Sequence, residues 1–350
     1  MNVISVTASQ NYDVIVGTNI LADLGEHATK LCGKCNAAII SDSNVFPIYG
    51  ELIEGSLQQA GITSFHYVFP AGEESKNLQT YSAILNFLAE NNLTRSDLII
   101  ALGGGVVGDI AGFAAATYLR GIAYIQVPTS LLAMVASSVG GKTAIDIPAG
   151  KNLVGAFMQP SLVLCDVSVL STLPRNVFLD GCAEVIKYSI LYDADLFAYL
   201  QKTGASFDPE WVIAKCISFK AAVVQADEFD TGLRQKLNFG HTIGHGIESL
   251  SNYKVTHGQA VATGMAVITN AAVRNGLCDE SVLDALNHIL QQFTLPSRTI
   301  YAAEALFQSS LSDKKRTGDF VNLIIPKKIG KCDIIQMPVS KLKSFIEAGL

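Results

Sequence analysis

Apolar positions in the first half of the chain fall into short blocks bounded by turn residues. The runs AAIISD (37–42), SFHYVFP (64–70), DLIIALGGG (97–105), IAYIQVP (122–128) and SLVLCD (161–166) have the length and branched or aromatic content of buried strands. Between them lie stretches of helical periodicity: ELIEGSLQQAG, stopped by Gly61, then NLQTYSAILNFLAENN and GDIAGFAAATYL. Strand alternating with helix at this spacing predicts a parallel sheet covered on both faces. From about Ser168 the pattern turns helical, in NVFLDGCAEVIKYSILY, DPEWVIAKCISFKAAVVQADE and GQAVATGMAVITNAAVRNG, with one short extended piece, FVNLIIPKKIG, near the end. The expected fold is an N-terminal α/β domain with a Rossmann-like parallel sheet, residues 1–167. A mainly α-helical C-terminal domain, residues 168–350, follows, with a cleft between the two. No internal repeat or low-complexity segment interrupts this plan.

Composition supports a large core: 49% of the 350 residues are apolar and 16% charged. A net charge of -6 without any Lys/Arg-rich run argues against nucleic acid as a partner. The mean hydropathy of +0.33 raises a membrane reading. The longest uncharged run, Gly121 to Gly141, contains Gln126, Pro128, Thr129, Ser130, Ser137 and Ser138. Its apolar blocks are too short to span a bilayer, and it reads as a buried strand followed by a helix. The opening MNVISVTASQNYDVIVG has neither a basic start nor a long apolar segment, so no secretory signal is expected. Seven cysteines, an odd count, then suggest reduced thiols and a cytoplasmic location. Cys32 and Cys35 form a lone C-x-x-C without a second pair to complete a zinc site.

Two patterns carry candidate chemistry. LGGGVVGD places Gly103, Gly105 and Gly108 between a strand and a helix, where backbone N–H groups can approach a pyrophosphate. The ordinary dinucleotide fingerprint has an acid about 20 residues later. None occurs between Asp109 and Asp146, which makes Asp42, at the end of an earlier strand, the better ribose partner. In NFGHTIGHGIE, His241 and His245 share one helix face, and His257 follows in VTHGQA. The second position of the pair motif is Thr242 rather than Glu, so the general base of a zinc protease is missing. Glu184 in CAEVIKY supplies a carboxylate at helical spacing. Two imidazoles, a carboxylate and an open position describe a catalytic zinc site, though spacing leaves open which two histidines bind. Lys142, Lys151, Asn152, Lys187, Lys220, Arg234 and Lys314 stand in apolar or glycine-rich surroundings; gathered together they would suit a small substrate bearing a phosphate and a carboxylate.

Taken in order, GEESK, GGGVVGD, YLRGI, VPTSLL, SSVGGKTAID, GKNLVGAF, STLPR, CAEVIKY, LNFGHTIGH and HGQAVATGM resemble 3-dehydroquinate synthase, a sugar phosphate cyclase, from about residue 40 to 330. The resemblance implies a homodimeric cytosolic enzyme of the shikimate pathway. It would convert 3-deoxy-D-arabino-heptulosonate 7-phosphate to 3-dehydroquinate and phosphate. Oxidation of a ring hydroxyl, phosphate elimination, return of hydride, ring opening and aldol closure would follow within one turnover, so NAD would be recycled. By motif, the metal (zinc or cobalt) would be held by Glu184, His241 and His257, and His245 would assist proton transfer near the substrate phosphate. NAD would be held by Asp42, Ala71, Gly72, Glu73, Glu74, Ser75, Lys76, Gly105, Val106, Val107, Gly108, Asp109, Thr129, Ser130, Lys142, Lys151 and Val169, Leu170, Ser171 and Thr172. Lys142, Asn152, Lys187, Lys220, Arg234, Asn238 and Lys314 would hold the substrate, and Arg120 would reach the phosphate site of the neighbouring subunit.

The chain departs from the family pattern at one important place: the usual QVDSSVGGK reads MVASSVGGK, with Ala136 where an Asp contacts substrate hydroxyls; Ser130 for the usual Thr keeps a hydroxyl and matters less. Three other readings compete. A related cyclase could take a sugar phosphate without a carboxylate, a metal-dependent polyol dehydrogenase of similar fold would accumulate NADH, and a binding protein could retain only the fold.

Overall fold

A computed structural model describes residues 1–311, 316–317 and 319–350. Contacts divide the chain into two compact units: Met1–Leu173 with Pro209–Phe229, and Pro174–Asp208 with Asp230–Leu350. The elements, in chain order, are β1 (Asn2–Val6), β2 (Tyr12–Gly17), α1 (Leu24–Cys32), β3 (Asn36–Asp42), α2 (Phe46–Gln59), β4 (Thr63–Phe69), α3 (Leu78–Glu90), β5 (Leu98–Gly103), α4 (Gly105–Thr117), β6 (Ala123–Pro128), β7 (Lys142–Ile147), β8 (Gly150–Phe157) and β9 (Leu162–Asp166). Then come α5 (Arg175–Tyr192), α6 (Ala194–Thr203), α7 (Pro209–Ala226), α8 (His241–Leu250), α9 (His257–Arg274), α10 (Glu280–Gln292), α11 (Ala303–Leu311), β10 (Arg316–Thr317), β11 (Phe320–Lys328), β12 (Lys331–Pro338) and α12 (Val339–Gly349).

The first unit is built on a seven-stranded sheet in the order β1-β2-β9-β6-β5-β3-β4. Only β1–β2 is antiparallel; the remaining neighbours run parallel. Every residue of β5 and β9 is buried, as strands covered on both faces must be, which is why they read as unbroken apolar runs. Adjacency of β3 and β5 brings the end of β3, with Asp42, beside the glycine turn after β5: Ser41 registers with Leu102. The hairpin β7–β8 stands as a separate two-stranded sheet.

The observed division differs from a cut at residue 167. Ser168–Leu173 stay with the first unit, and α7 belongs to it as well, because its apolar face packs on β1, β2 and a short π-helical turn at Ala133–Ser137. The helix expected after β6 is present as a short helical segment, residues 131–137, whose last five residues form that turn.

The second unit gathers α5, α6 and α8–α12 with a three-stranded antiparallel sheet, β10-β11-β12. Helix α9 is its centre: thirteen of its residues are buried, and α5, α8, α10 and α12 all pack on it. Helices α8 and α9 approach so closely that a Cβ on Gly264 would overlap the Gly240 carbonyl, and one on Gly244 would sit 3.2 Å from Ala260. No helix among the described residues is long and apolar enough to cross a membrane.

Candidate active site

Two clusters of chemistry emerge, one in each unit. In the first unit, α4 begins directly after the glycine turn. Its N-cap is Gly104, which offers no side chain to the first-turn N–H groups of Gly105, Val106 and Val107, so these remain available to an anion. Gly103 and Gly108 have a packing reason as well: a Cβ at either would lie 2.5 Å from Val107 or 2.6 Å from the Gln126 amide. Around the turn, the Thr129 N–H donates to the Gly103 carbonyl at 3.0 Å, and the Ser130 hydroxyl accepts from the Ala133 N–H at 3.3 Å. Asp42 uses one carboxylate oxygen to accept the N–H groups of Asn44 and Val45. The segment Val169–Thr172 is tied to α2 by Tyr49, whose hydroxyl lies 2.6 Å from Thr172 Oγ1.

Beside this turn, Lys76 is buried and donates to both Asp109 and Asn152, each at 2.6 Å. Burial alone would lower the Lys76 pKa, but Asp109 and Glu73 outweigh it and hold the ammonium charged. Lys151 pairs with Glu73 at 3.1 Å. Asn152 adopts a left-handed backbone, φ 53°, and its N–H donates to Asp146 at 2.8 Å, while the Asp146 N–H donates to the Lys76 carbonyl. Residues expected to hold nucleotide (Glu73, Lys76, Asp109, Lys151) and substrate (Asn152) therefore form one hydrogen-bonded group. Asp146, which joins the β7–β8 hairpin to that group, was not among them. Lys142 is exposed at the start of β7. Lys220 on α7 donates to the Ala136 carbonyl. Arg120 and Leu119 are exposed and adopt consecutive left-handed conformations, φ 69° and 51°.

In the second unit, Glu184 on α5, His241 at the first position of α8 and His257 at the first position of α9 bring their ligand atoms within 4.8 Å of one another. The Glu184 Oε1 atom lies 3.6 Å from His241 Nε2 and 3.7 Å from His257 Nε2. Those distances are too long for hydrogen bonds, and Oε1 is buried without a hydrogen-bond partner. Glu184 Oε2 accepts from Lys187 Nζ at 2.6 Å, with both residues 2% exposed. Burial would raise the Glu184 pKa, but Lys187 and the two imidazoles overrule it and hold the carboxyl well below its usual range. Burial and the nearby Lys187 charge push His241 well below its usual value, so its imidazole is neutral. Its Nδ1 lies 3.1 Å from the Phe239 carbonyl, which assigns the proton to Nδ1 and leaves the Nε2 lone pair facing Glu184. Desolvation lowers His257, but Glu184 on one ring nitrogen and Glu248 on the other raise it to about 10. A cation among the three side chains would take the place of that proton. Two nitrogens, one anionic oxygen and an orphaned lone pair fit a divalent ion of the zinc type.

His245 is exposed, and its ring stands 5.4 Å from that of His241 and 6.5 Å from that of His257, outside the three-residue group. Arg234 is buried in the turn Leu233–Asn238 that leads into α8, and Asn238 closes that turn. Lys314 lies outside the described residues. Glu248, on the His241–His245 face of α8, escaped notice in the sequence, although its spacing of three from His245 was a usable signal.

Family models described as 3-dehydroquinate synthase N-terminal and 3-dehydroquinate synthase C-terminal match residues 66–180 and 181–316. The 3-dehydroquinate synthase of Clostridium acetobutylicum is 44% identical over 341 residues, covering 95% of this chain and 96% of its own. Among solved structures, a 2-deoxy-scyllo-inosose synthase complexed with carbaglucose-6-phosphate, NAD+ and Co2+ superposes with a TM-score of 0.89 at 26% identity, covering 100% of both chains. A 2-epi-5-epi-valiolone synthase from Streptomyces hygroscopicus with NAD+ and Zn2+ gives 0.90 at 26% identity, covering 99% of this chain and 97% of its own. An α/β unit with an open glycine turn and a helical unit with a His–His–Glu group define a cyclase fold of this kind. The chain belongs to the 3-dehydroquinate synthase family.

Proposed function

We propose that this chain is a phosphate-eliminating cyclase that converts 3-deoxy-D-arabino-heptulosonate 7-phosphate to 3-dehydroquinate and phosphate. The observation that carries the reading is the Glu184–His241–His257 group, with its buried, unpartnered Oε1, in a chain of this family. When bound, NAD supplies a hydride acceptor that returns its hydride within the turnover, and a zinc or cobalt ion supplies Lewis acidity at the hydroxyl being oxidised. Glu184, His241 and His257 would hold the ion. Lys187 keeps the Glu184 carboxylate ionised and in place, and the Phe239 carbonyl keeps the His241 proton on Nδ1. The open first turn of α4, Asp42 and the Glu73–Lys76 segment would hold the nucleotide. Lys142, Asn152, Lys187, Lys220, Arg234, Asn238 and Lys314 would neutralise the carboxylate and phosphate, and exposed His245 would carry protons at the phosphate. In a cytoplasmic homodimer, Arg120 would serve the neighbouring copy's phosphate site; its left-handed backbone suits a residue held outward for a purpose.

Ala136, where the family resemblance leads one to expect an Asp on the substrate hydroxyls, keeps open a second reading within the same superfamily, a cyclase for a sugar phosphate lacking the carboxylate, against which Lys220, Arg234 and Lys314 stand. Incubation with the heptulosonate phosphate and NAD, following phosphate and NADH together, tests both. Phosphate in large molar excess over NAD with no steady rise at 340 nm is expected. Phosphate release from sedoheptulose 7-phosphate or glucose 6-phosphate alone would establish the second reading, and stoichiometric NADH would mark a dehydrogenase.

A further inference from the structure

Helix α9 starts at His257, so the place of that imidazole depends on how the helix N-terminus is held. The N-cap is Thr256, a residue that ordinarily turns its hydroxyl to an N–H of the first turn. Here it makes no such bond. Its Oγ1 instead donates to Oδ1 of Asp180 on α5, and the same Oδ1 accepts the N–H of Gln259 at 3.0 Å. The cap is thus supplied by a different helix. A carboxylate at this end of a helix is also favoured by the helix dipole. Contact is close enough that any Cβ at Gly258 would overlap the Asp180 carbonyl, so only glycine lets the first turn of α9 settle there.

Asp180 and Glu184 stand one turn apart on α5. One helix therefore carries both the acid of the three-residue group and the acid that docks the helix on which His257 is the first residue. The ring itself is held from both sides. Its Nε2 faces Glu184, and its Nδ1 lies 3.5 Å from Oε2 of Glu248, which is 5% exposed on α8. A carboxylate on the far nitrogen fixes the orientation of a metal-binding imidazole.

We infer that Asp180 and Glu248 are positioning residues for His257: Asp180 docks the first turn of α9 on α5, and Glu248 sets the ring so that Nε2 points at Glu184 and His241. The inference rests on the reading of Glu184, His241 and His257 as metal ligands.

The test is cobalt(II) binding to the metal-free full-length chain. Affinity is measured by competition with a chromophoric chelator, together with the cobalt d–d spectrum and the melting temperature of the metal-free protein. Asp180→Ala and Glu248→Gln are each expected to weaken cobalt binding by roughly 10- to 100-fold and to change the d–d bands. Asp180→Asn retains Oδ1 as an acceptor for the Thr256 hydroxyl and the Gln259 N–H and should weaken cobalt binding less than Asp180→Ala does. A melting temperature that falls while cobalt affinity and spectrum stay native would overturn the inference, because that is what a purely structural contact predicts. If Asp180→Ala does not fold, Thr256→Val and Glu248→Gln decide, and native cobalt affinity in both overturns it. Native protein that binds no cobalt removes the metal reading and this inference with it. Native protein and variants that bind alike remove the inference alone.

Discussion

Lys220 of α7 donates its ammonium to the backbone carbonyl of Ala136, in the π-helical turn that follows β6. Both residues lie in the first unit, and Lys220 is 8% exposed. A buried ammonium is better matched by an anion than by a neutral carbonyl. At this very residue the family pattern has a carboxylate and this chain a methyl group.

Ala136→Asp should therefore raise turnover on the heptulosonate phosphate by about tenfold, since a charge-assisted hydrogen bond is worth ~1.5–3 kcal/mol and ~1.4 kcal/mol is a factor of ten in rate. Ala136→Asn, with the shape but not the charge, should give a smaller gain. Steady-state kinetics of the three chains decide. A native enzyme that neither substitution improves would show that the carbonyl already does what the acid would do.

Removal of metal is the direct trial of the second cluster. Dialysis against a chelator should abolish phosphate release, and zinc or cobalt should restore it. Glu184→Gln should lower kcat/KM by at least ~10³, because it removes the anionic ligand and leaves Lys187 buried without its carboxylate. Full activity in metal-free protein would exclude an ion from the reaction.

Gly240 sets the direction from which α8 starts. Its φ of 80° is left-handed, and a Cβ there would stand 2.6 Å from both the Val261 carbonyl and Met265 Cγ on α9. Gly240→Ala must bear about 1–2 kcal/mol of backbone strain and a displacement of α8 from α9 besides. We expect a loss of about 3 kcal/mol or more in denaturant unfolding and a weakened metal site, since His241 is the next residue. A variant within 1 kcal/mol of native would mean the two helices can separate freely.

Much of this was legible before the structure. Strands β3, β5, β6 and β9 announce themselves because burial on both faces makes them predominantly apolar, with few polar residues such as Ser41, Gln126 and Asp166, and the Glu184, His241 and His257 motifs stand apart from their surroundings. What escaped has physical reasons. Strands β1 and β12 lie at sheet edges, and their exposed residues break the apolar run; β7–β8 carries charge and glycine at its tip. Helix α7 has the periodicity of the helices around it, and nothing local says that it packs on the first unit. Asp180 and Asp146 act by accepting backbone N–H groups from residues 79 and 6 positions away, and such bonds leave no mark on residue spacing.

Asp97 makes a pH-dependent contribution of a similar kind. Its Oδ1 accepts the Asn36 N–H at 2.6 Å, and Oδ2 accepts the Thr94 N–H at 2.6 Å and the Thr94 hydroxyl at 2.8 Å, tying β3 to the turn before β5. Burial would raise the Asp97 pKa, but these donors lower it below the ordinary carboxylate value. With the folded value depressed, the stabilisation is fully present above the unfolded value, ~3.9, and is lost as pH falls through the folded value. Asp97→Ala should cost about 3 kcal/mol at pH 7, and the cost should shrink below about pH 4. Urea unfolding of native and variant chains from pH 7 to pH 3 measures this; a cost independent of pH would assign the effect to packing alone.

The Lys76–Asp109 pair should behave as a unit. Lys76 is almost fully buried and bridges Asp109 at the start of α4 to Asn152 on the hairpin. Lys76→Met leaves the Asp109 carboxylate without its 2.6 Å partner, and loss of one member of a buried pair costs about 3–5 kcal/mol. Asp109→Leu removes the nearest counter-charge but leaves the ammonium the Asn152 amide oxygen and the charge of Glu73, so it should cost less, about 1–3 kcal/mol. With both replaced, no unpaired charge remains, and the double variant should be more stable than the sum of the two single losses predicts by about 1–3 kcal/mol. Its KM for NAD should nonetheless rise, because both side chains belong to the proposed nucleotide end of the first unit. Denaturant unfolding of the four chains gives the coupling and steady-state kinetics the KM. Strictly additive losses would show that Asp109 finds another counter-charge once Lys76 is gone.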